Sequence, residues 1–493
     1  MHVERSGDDT LVASIKVPGS SFPVQKLQLL SAWGGSNRLS AAETIMWRME
    51  PFPSASSTGT SMHFLASTPD WSDVCDFVDG LSKAVPRLRQ RVQEFPVAAQ
   101  LPVWRDDLNF QLNKHLHRVT LAKHGRAKGA STAALMALVT DFANKPIGLR
   151  RPPWEVLFVD GLAGGKSVFA LKIQHCMTDG GGLIQLFSAA LSGRAGEQLR
   201  GSELALSAPA CEKQSRFGFA AAPLALIRAG AKTWQKRHLE GYSLASAQRY
   251  LKSIQNLNAG QASNGSRLLQ QRSTTNAYQF VDLSLGTMKL IAKAALASLN
   301  DVYLALIIGA FQRYHAAFGV TDEACLPLAF PVSLRKSGDA VGGNKFTAVT
   351  YASPLNIVEP SARIRVIQDF VRRARAEPAL DFMNQLLPVA TLLPTKLTAK
   401  LIAQYASHLD VQVSNIPGMR DQTYLAGALV ESHYVLPPRP GCACMFAMIS
   451  HQDVAGIAIN YDPAAIREPK LLLSCLQEEY AALCAHFDVA PSS

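Results

Sequence analysis

In this 493-residue chain, the pattern best suited to chemistry is Gln174-His175-Cys176-Met177-Thr178-Asp179-Gly180, an H-x-x-x-D-G arrangement. Imidazole ionises near neutrality, so a fixed histidine can take a proton from a hydroxyl and return it to a leaving group. The preceding run SVFALKIQ is apolar and β-type, which puts His175 at the end of a buried strand, held by the sheet while facing an opening. Asp179 can lock the loop through an ion pair, and Gly180 to Gly182 let the backbone turn sharply into the helix LIQLFSAAL. The same residues also suit a satisfied core histidine beside a helix-capping aspartate. Local sequence leaves both readings open.

Other chemistries fail on single positions. GLAGGKS would be a phosphate loop with glycine at 160, where Asp160 stands. GGGLIQ would be a dinucleotide fingerprint with glycine at Gln185. No G-x-S-x-G, H-E-x-x-H or EF-hand loop occurs. The eight cysteines form no C-x-x-C pair, and Cys442 and Cys444 have no second pair or nearby histidine to complete a metal site. No metal is expected.

The elements that must position His175 are legible as periodicities. EVLFVD and SVFALKIQ, joined by GLAGGK, form a hairpin signal. SDVCDFVDGLSKAVPRLRQRV has helical spacing with a break at Pro86. In the second half, AYQFVDLSL, ACLPLAFPVSL, FTAVTYASPL and AGIAINYD read as strands. GTMKLIAKAALAS, NDVYLALIIGAFQRYHAAF, ARIRVIQDFVRRARA and PKLLLSCLQEEYAALCAHF read as helices. No internal sequence repeat is visible. The expected organisation is α/β: a poorly ordered extension at 1–35, an N-terminal lobe at 36–195, a connection at 196–272 and a C-terminal lobe at 273–490.

Composition is that of a globular chain, 48% hydrophobic and 18% charged, with no apolar run long enough to span a bilayer. The opening residues lack the pattern of a signal peptide, so the expected address is cytoplasmic. The net charge of +11 suits an anionic partner. Between Cys211 and Asn256, eight basic residues and two acidic ones interleave with Phe217, Phe219, Ile227 and Trp234. That segment reads as a surface for anionic membrane, ahead of nucleic acid, or as a linker with its charge in water.

Seven blocks then carry a resemblance. They are LSAAETIMWRME, PRLRQRV, PVWRDDLNFQLNKHLHRVTL, RPPWEVLFVDGLAGGK, SLNDVYLAL, PVSLR followed by GGNKF, and VSNIPGMRDQTYLAGA. With H-x-x-x-D-G among them and in this order, the chain resembles the bacterial wax ester synthase/diacylglycerol acyltransferase family of the CoA-dependent acyltransferase superfamily. The resemblance implies two chloramphenicol-acetyltransferase-like lobes with the active-site tunnel at their interface. It implies transfer of a fatty acyl group from acyl-CoA, as co-substrate, to a long-chain alcohol or diacylglycerol, without a covalent acyl-enzyme or other cofactor. His175 becomes the general base and Asp179 its structural support, paired with an arginine for which Arg335 is the candidate. Gln174, Gly180, Asn300, Asp301, Ser414 and Asn415 become substrate-site residues, with Ser414 and Asn415 near the oxyanion. Asn300 as a helix N-cap, and Ser414-Asn415 as a turn, remain alternatives. Partners are then acyl-CoA, the acceptor and the anionic inner membrane face or a lipid droplet, with no nucleic acid.

The family usually has two adjacent histidines here, and this chain has Gln174 for the first. That departure bears on orienting the base or shaping the acyl tunnel. It leaves room for an H-x-x-x-D-G acyltransferase with another acceptor, or a non-catalytic lipid-binding member of the fold.

Overall fold

The computed structural model describes residues 22–95, 100–121, 130–194, 196–205, 252–253, 265–333, 346–377 and 382–490. The helices are α1 (Val24–Ser31), α2 (Ala41–Met49), α3 (Trp71–Ala84), α4 (Thr132–Asn144), α5 (Gly180–Ala190), α6 (Leu285–Ala294), α7 (Leu299–Ala317), α8 (Pro360–Ala376), α9 (Phe382–Ala390), α10 (Thr395–Ser407) and α11 (Pro469–His486). Two six-stranded sheets carry the architecture. The first runs β11 (Tyr424–Leu425), β12 (Ala428–Leu436), β1 (Thr58–Leu65), β6 (Ser167–Gln174), β5 (Trp154–Asp160), β4 (Leu116–Thr120). The second runs β7 (Ala277–Ser284), β14 (Val454–Tyr461), β13 (Cys444–His451), β10 (Val411–Ile416), β8 (Cys325–Ser333), β9 (Phe346–Pro354). A separate ribbon pairs β2 (Gln90–Gln93) with β3 (Val103–Asp106).

The local patterns account for most of this. β5 and β6 are buried at every position and pair antiparallel across the glycine turn. α7 is capped by Ser298 and buried along most of its length, as an all-round apolar helix must be. It forms the centre of the C-terminal core with Phe446, Ile457 and Leu476. Each such side chain contributes about 1.5–3 kcal/mol by burial. A buried ion pair crosses this core, Arg363 Nη1 to Glu479 Oε1 at 2.5 Å.

The expectation of a poorly ordered extension at 1–35 is corrected for its described part. The chain is packed from Phe22 onward: Phe22, Leu27, Leu30 and Trp33 are buried, and Trp33 Nε1 donates to Gly182 O at 2.8 Å. The apolar face of α1 covers α5, and composition around 22–35 hid that contact. The C-terminal lobe is also not self-contained. β12 leaves it and pairs antiparallel with β1 from Thr60↔Leu436 to Phe64↔Ser432. The register lets β12 place Val430 and Leu436 in N-terminal cores while its strand partner is 370 residues away in sequence, on the order of the chain itself. Most of the basic segment (211–251 and 254–256) lies outside the described residues.

Candidate active site

β6 is rigid because its polar residues are satisfied. Lys172 is fully buried, yet its Nζ meets Glu155 Oε2 at 3.0 Å and donates to Phe142 O and Lys145 O, each at 3.1 Å. Burial lowers the Lys172 pKa and the Glu155 carboxylate opposes that shift. Two residues on, Gln174 is fully buried as well. Its Nε2 donates to Met46 O at 2.8 Å, and its Oε1 accepts from the Cys176 N–H at 2.6 Å.

His175 follows directly. Its backbone N–H points to Ser57 O at 3.3 Å, which joins the strand end to the loop before β1. Cys176, Met177 and Thr178 turn inward and are buried, whereas His175, Asp179 and Gly180 are half-buried at the mouth of the turn. Asp179 is the N-cap of α5: its Oδ1 accepts from the Gly182 N–H at 2.8 Å. The carboxylate thus helps hold the loop by capping a helix start, a site with unsatisfied N–H donors. Arg335 lies outside the described residues.

The opposite wall comes from the C-terminal lobe. A Cβ placed on Gly180 would lie 2.9 Å from Ile416 Cδ1, so the start of α5 packs directly on the side chain at the end of β10, which a larger residue would have to displace. Ile416 also packs with Ile184, Val435 and Ile449, an apolar patch drawn from both lobes. Ser414 and Asn415, half-buried on β10 and in register with Ala447 and Met448, are therefore carried to the same seam as the histidine turn. Asn300 and Asp301 have another use. Asp301 Oδ2 accepts from Ser298 N at 2.9 Å and Ser298 Oγ at 2.7 Å, a capping box that starts α7. Ser298, and not Asn300, is the N-cap. The Asp301 carboxylate thus has a structural use, satisfying the helix end. Gln174, also expected to touch substrate, points into the N-terminal core instead.

Sequence reasoning missed two groups. Glu50, at the end of α2, is buried and accepts from Thr58 Oγ1 (2.6 Å), Ser56 Oγ (3.0 Å) and the Ser57 N–H (3.3 Å). Burial raises its pKa, and these hydrogen bonds oppose the rise. His63, His433 and His451 gather on β1, β12 and β13, where the lobes join. His63 and His433 stack at 4.0 Å, and Ser61 Oγ lies 2.7 Å from His433 Nε2. The only signal for either group was a polar residue inside an otherwise apolar or helical run.

Comparison with known proteins agrees with this geometry. The family profile described as the wax ester synthase/diacylglycerol acyltransferase catalytic domain matches residues 39–303, and the WS/DGAT C-terminal domain matches 342–484. A Mycobacterium tuberculosis protein bearing the name diacylglycerol O-acyltransferase is 33% identical over 465 residues, covering 91% of this chain and 92% of its own length. Another of that organism and name is 27% identical over 405 residues, 78% of this chain and 83% of its own. Among solved structures, the wax ester synthase/diacylglycerol acyltransferase from Marinobacter aquaeolei VT8 superposes with a TM-score of 0.58 at 16% identity, covering 93% of this chain and 98% of that one. The first condensation domain of the CDA synthetase does so at 0.55 and 12%, over 93% and 100%. These superpositions establish the fold, two lobes of chloramphenicol-acetyltransferase type.

Proposed function

The chain belongs to the wax ester synthase/diacylglycerol acyltransferase family and is an acyltransferase, and on that premise we propose that it moves a fatty acyl group from acyl-CoA to the hydroxyl of a long-chain alcohol or diacylglycerol. The observation that carries this reading is His175, half-buried just past a fully buried strand, in a turn whose Gly180 packs on Ile416 of the other lobe.

The imidazole of His175 takes the acceptor's hydroxyl proton as that oxygen attacks the thioester carbonyl. The tetrahedral oxyanion collapses, the carbon–sulfur bond breaks, and the departing CoA thiolate recovers the proton from the imidazolium. A thioester is already activated, so no acyl-enzyme is needed; holding both substrates at one base supplies much of the rate. Asp179 keeps the turn in place through the cap of α5. Asn415, with Ser414, offers a donor to the oxyanion from the opposite lobe. The basic excess of the chain suits the phosphates of CoA.

Acceptors of this kind lie in membranes or droplets, and the inner membrane face or a lipid droplet is the proposed working surface. The exposed Leu386, Val389, Leu392, Leu397 and Leu401 on α9, α10 and their connection support it, with the exposed Lys396 and Lys400 beside them. No single helix among the described residues is long and apolar enough to cross a membrane.

Purified protein incubated with palmitoyl-CoA and either hexadecanol or dioleoylglycerol should release thiol and form ester with at least one acceptor. Thiol release without ester, or neither, overturns the proposal.

A further inference from the structure

The side chain of Gln174 spans the residue beside it. Its Oε1 accepts from Cys176 N at 2.6 Å, and its Nε2 is anchored on Met46 O at 2.8 Å. The same Nε2 faces Ser57 Oγ at 3.3 Å and Glu50 Oε2 at 3.4 Å. Ser57, in turn, accepts the His175 N–H with its carbonyl and gives its own N–H to Glu50 Oε2 at 3.3 Å. The peptide groups on both sides of the His175 Cα are therefore fixed: the one before it by Ser57, the one after it by Gln174. Fixing both planes sets the direction in which the His175 side chain leaves the backbone. Every member of the bracket is buried or half-buried, and none but His175 belongs to the proposed reacting groups.

We propose that Gln174 and Glu50 are positioning residues for His175, and that the Gln174 amide supplies the acceptor and donor that a neutral imidazole would supply at this position. Glutamine Oε1 stands where one ring nitrogen would accept from the Cys176 N–H. Its Nε2 stands where the other would donate to Met46 O and the Glu50 carboxylate. Each offers an acceptor for the Cys176 N–H and a donor for Met46 O, while the amide has a second N–H to spare for Ser57 Oγ or Glu50. They also differ in titration. An imidazole that gains a proton loses its acceptor and turns a second N–H toward Cys176 N–H, whereas an amide does not titrate. The Gln174 contact to the Cys176 N–H in this chain therefore holds at low pH, where a protonated histidine in its place would lose it. The Lys172 ammonium, Arg151 and Arg87 are the cations, and Glu43, Glu50 and Glu155 the carboxylates, in the electrostatic surroundings of this region.

The inference rests on His175 as base, and the experiment separates the two. Thiol release is measured from pH 5.5 to 9 for wild type and for His175→Ala, Gln174→Leu, Gln174→His and Glu50→Gln. Gln174→Leu removes both hydrogen bonds and should lower kcat about 10- to 100-fold, with KM for palmitoyl-CoA within about twofold, since misplacing a reacting group acts on turnover. Gln174→His should recover kcat to within about threefold of wild type at pH 8 and show an additional loss below pH 7 that wild type lacks. Glu50→Gln should lower kcat less than Gln174→Leu, because Met46 O still anchors the amide. A rise in KM at unchanged kcat for Gln174→Leu would make Gln174 a substrate contact and overturn the inference. So would a Gln174→His variant no more active than Gln174→Leu at any pH. If His175→Ala keeps its turnover, the mechanism itself fails, whatever the other variants do.

Discussion

In the N-terminal sheet β1, β6, β5 and β4 lie side by side as antiparallel, antiparallel and parallel neighbours, and in the C-terminal sheet β7, β14, β13 and β10 repeat that order and those directions. The registers agree as well. Thr58, first in β1, faces Gln174, last in β6; Ala277, first in β7, faces Tyr461, last in β14. His175 and Asp462 consequently hold the same place in the frame, one residue past a buried strand and ahead of a helix. Asp462 is fully buried. It accepts from Ser273 N at 2.5 Å and Ser273 Oγ at 2.6 Å and faces Arg439 Nη1 at 3.3 Å. His175 is left half-exposed at the seam. One frame thus builds two strand ends, one fully buried around an ion-paired carboxylate and the other left half-buried.

The most severe way to break that contrast is at the open end. His175→Ala should lower acyl transfer by about 10²–10⁴ while thermal unfolding stays near that of wild type. Thiol release and circular dichroism on the same preparation check it. At the sealed end the outcome should invert. Asp462→Ala leaves the Arg439 guanidinium buried without its partner, which should cost about 3–5 kcal/mol in urea unfolding. Turnover per folded molecule should stay within about twofold of wild type.

The joint between the lobes gives a pH test. Burial pushes His433 down to about 3, and lowers His63 and His451 as well. The unfolded chain, with imidazoles near the ordinary value, binds protons that the folded chain refuses. Their stabilisation is therefore complete above about pH 6.5 and is lost as pH falls; for His433 the loss runs on toward pH 3, by about 1.4 kcal/mol per pH unit. Unfolding measured from pH 8 to 4.5 should show that slope, and His433→Gln, which can still bond Ser61, should flatten it. The smallest effect belongs to Asp179. As an N-cap, its change to Ala should cost about 0.5–2 kcal/mol, and Asp179→Asn, which keeps the cap, isolates the share carried by its charge. A large loss for Asp179→Asn would show that its charge, and not its cap, holds the turn.

What could be read along the chain were features that arise within a few residues. The β5–β6 hairpin, the helix break at Pro86, the buried α7 and a histidine at a strand end before Asp-Gly all follow from side-chain periodicity and turn chemistry. The block order also identified the family. The packing of residues 22–35 is not legible, since Trp33 finds its partner Gly182 O through geometry that composition does not encode. Only the tertiary structure brought Glu50 to Gln174 across 124 positions, His433 to Ser61 across 372, and Ile416 against Gly180. Periodicity fixes which face of an element is apolar, because that depends on the local repeat. Which polar residue meets which, and which strand end is left open, depends on how two lobes close on each other, a choice made by long-range packing that no local pattern records.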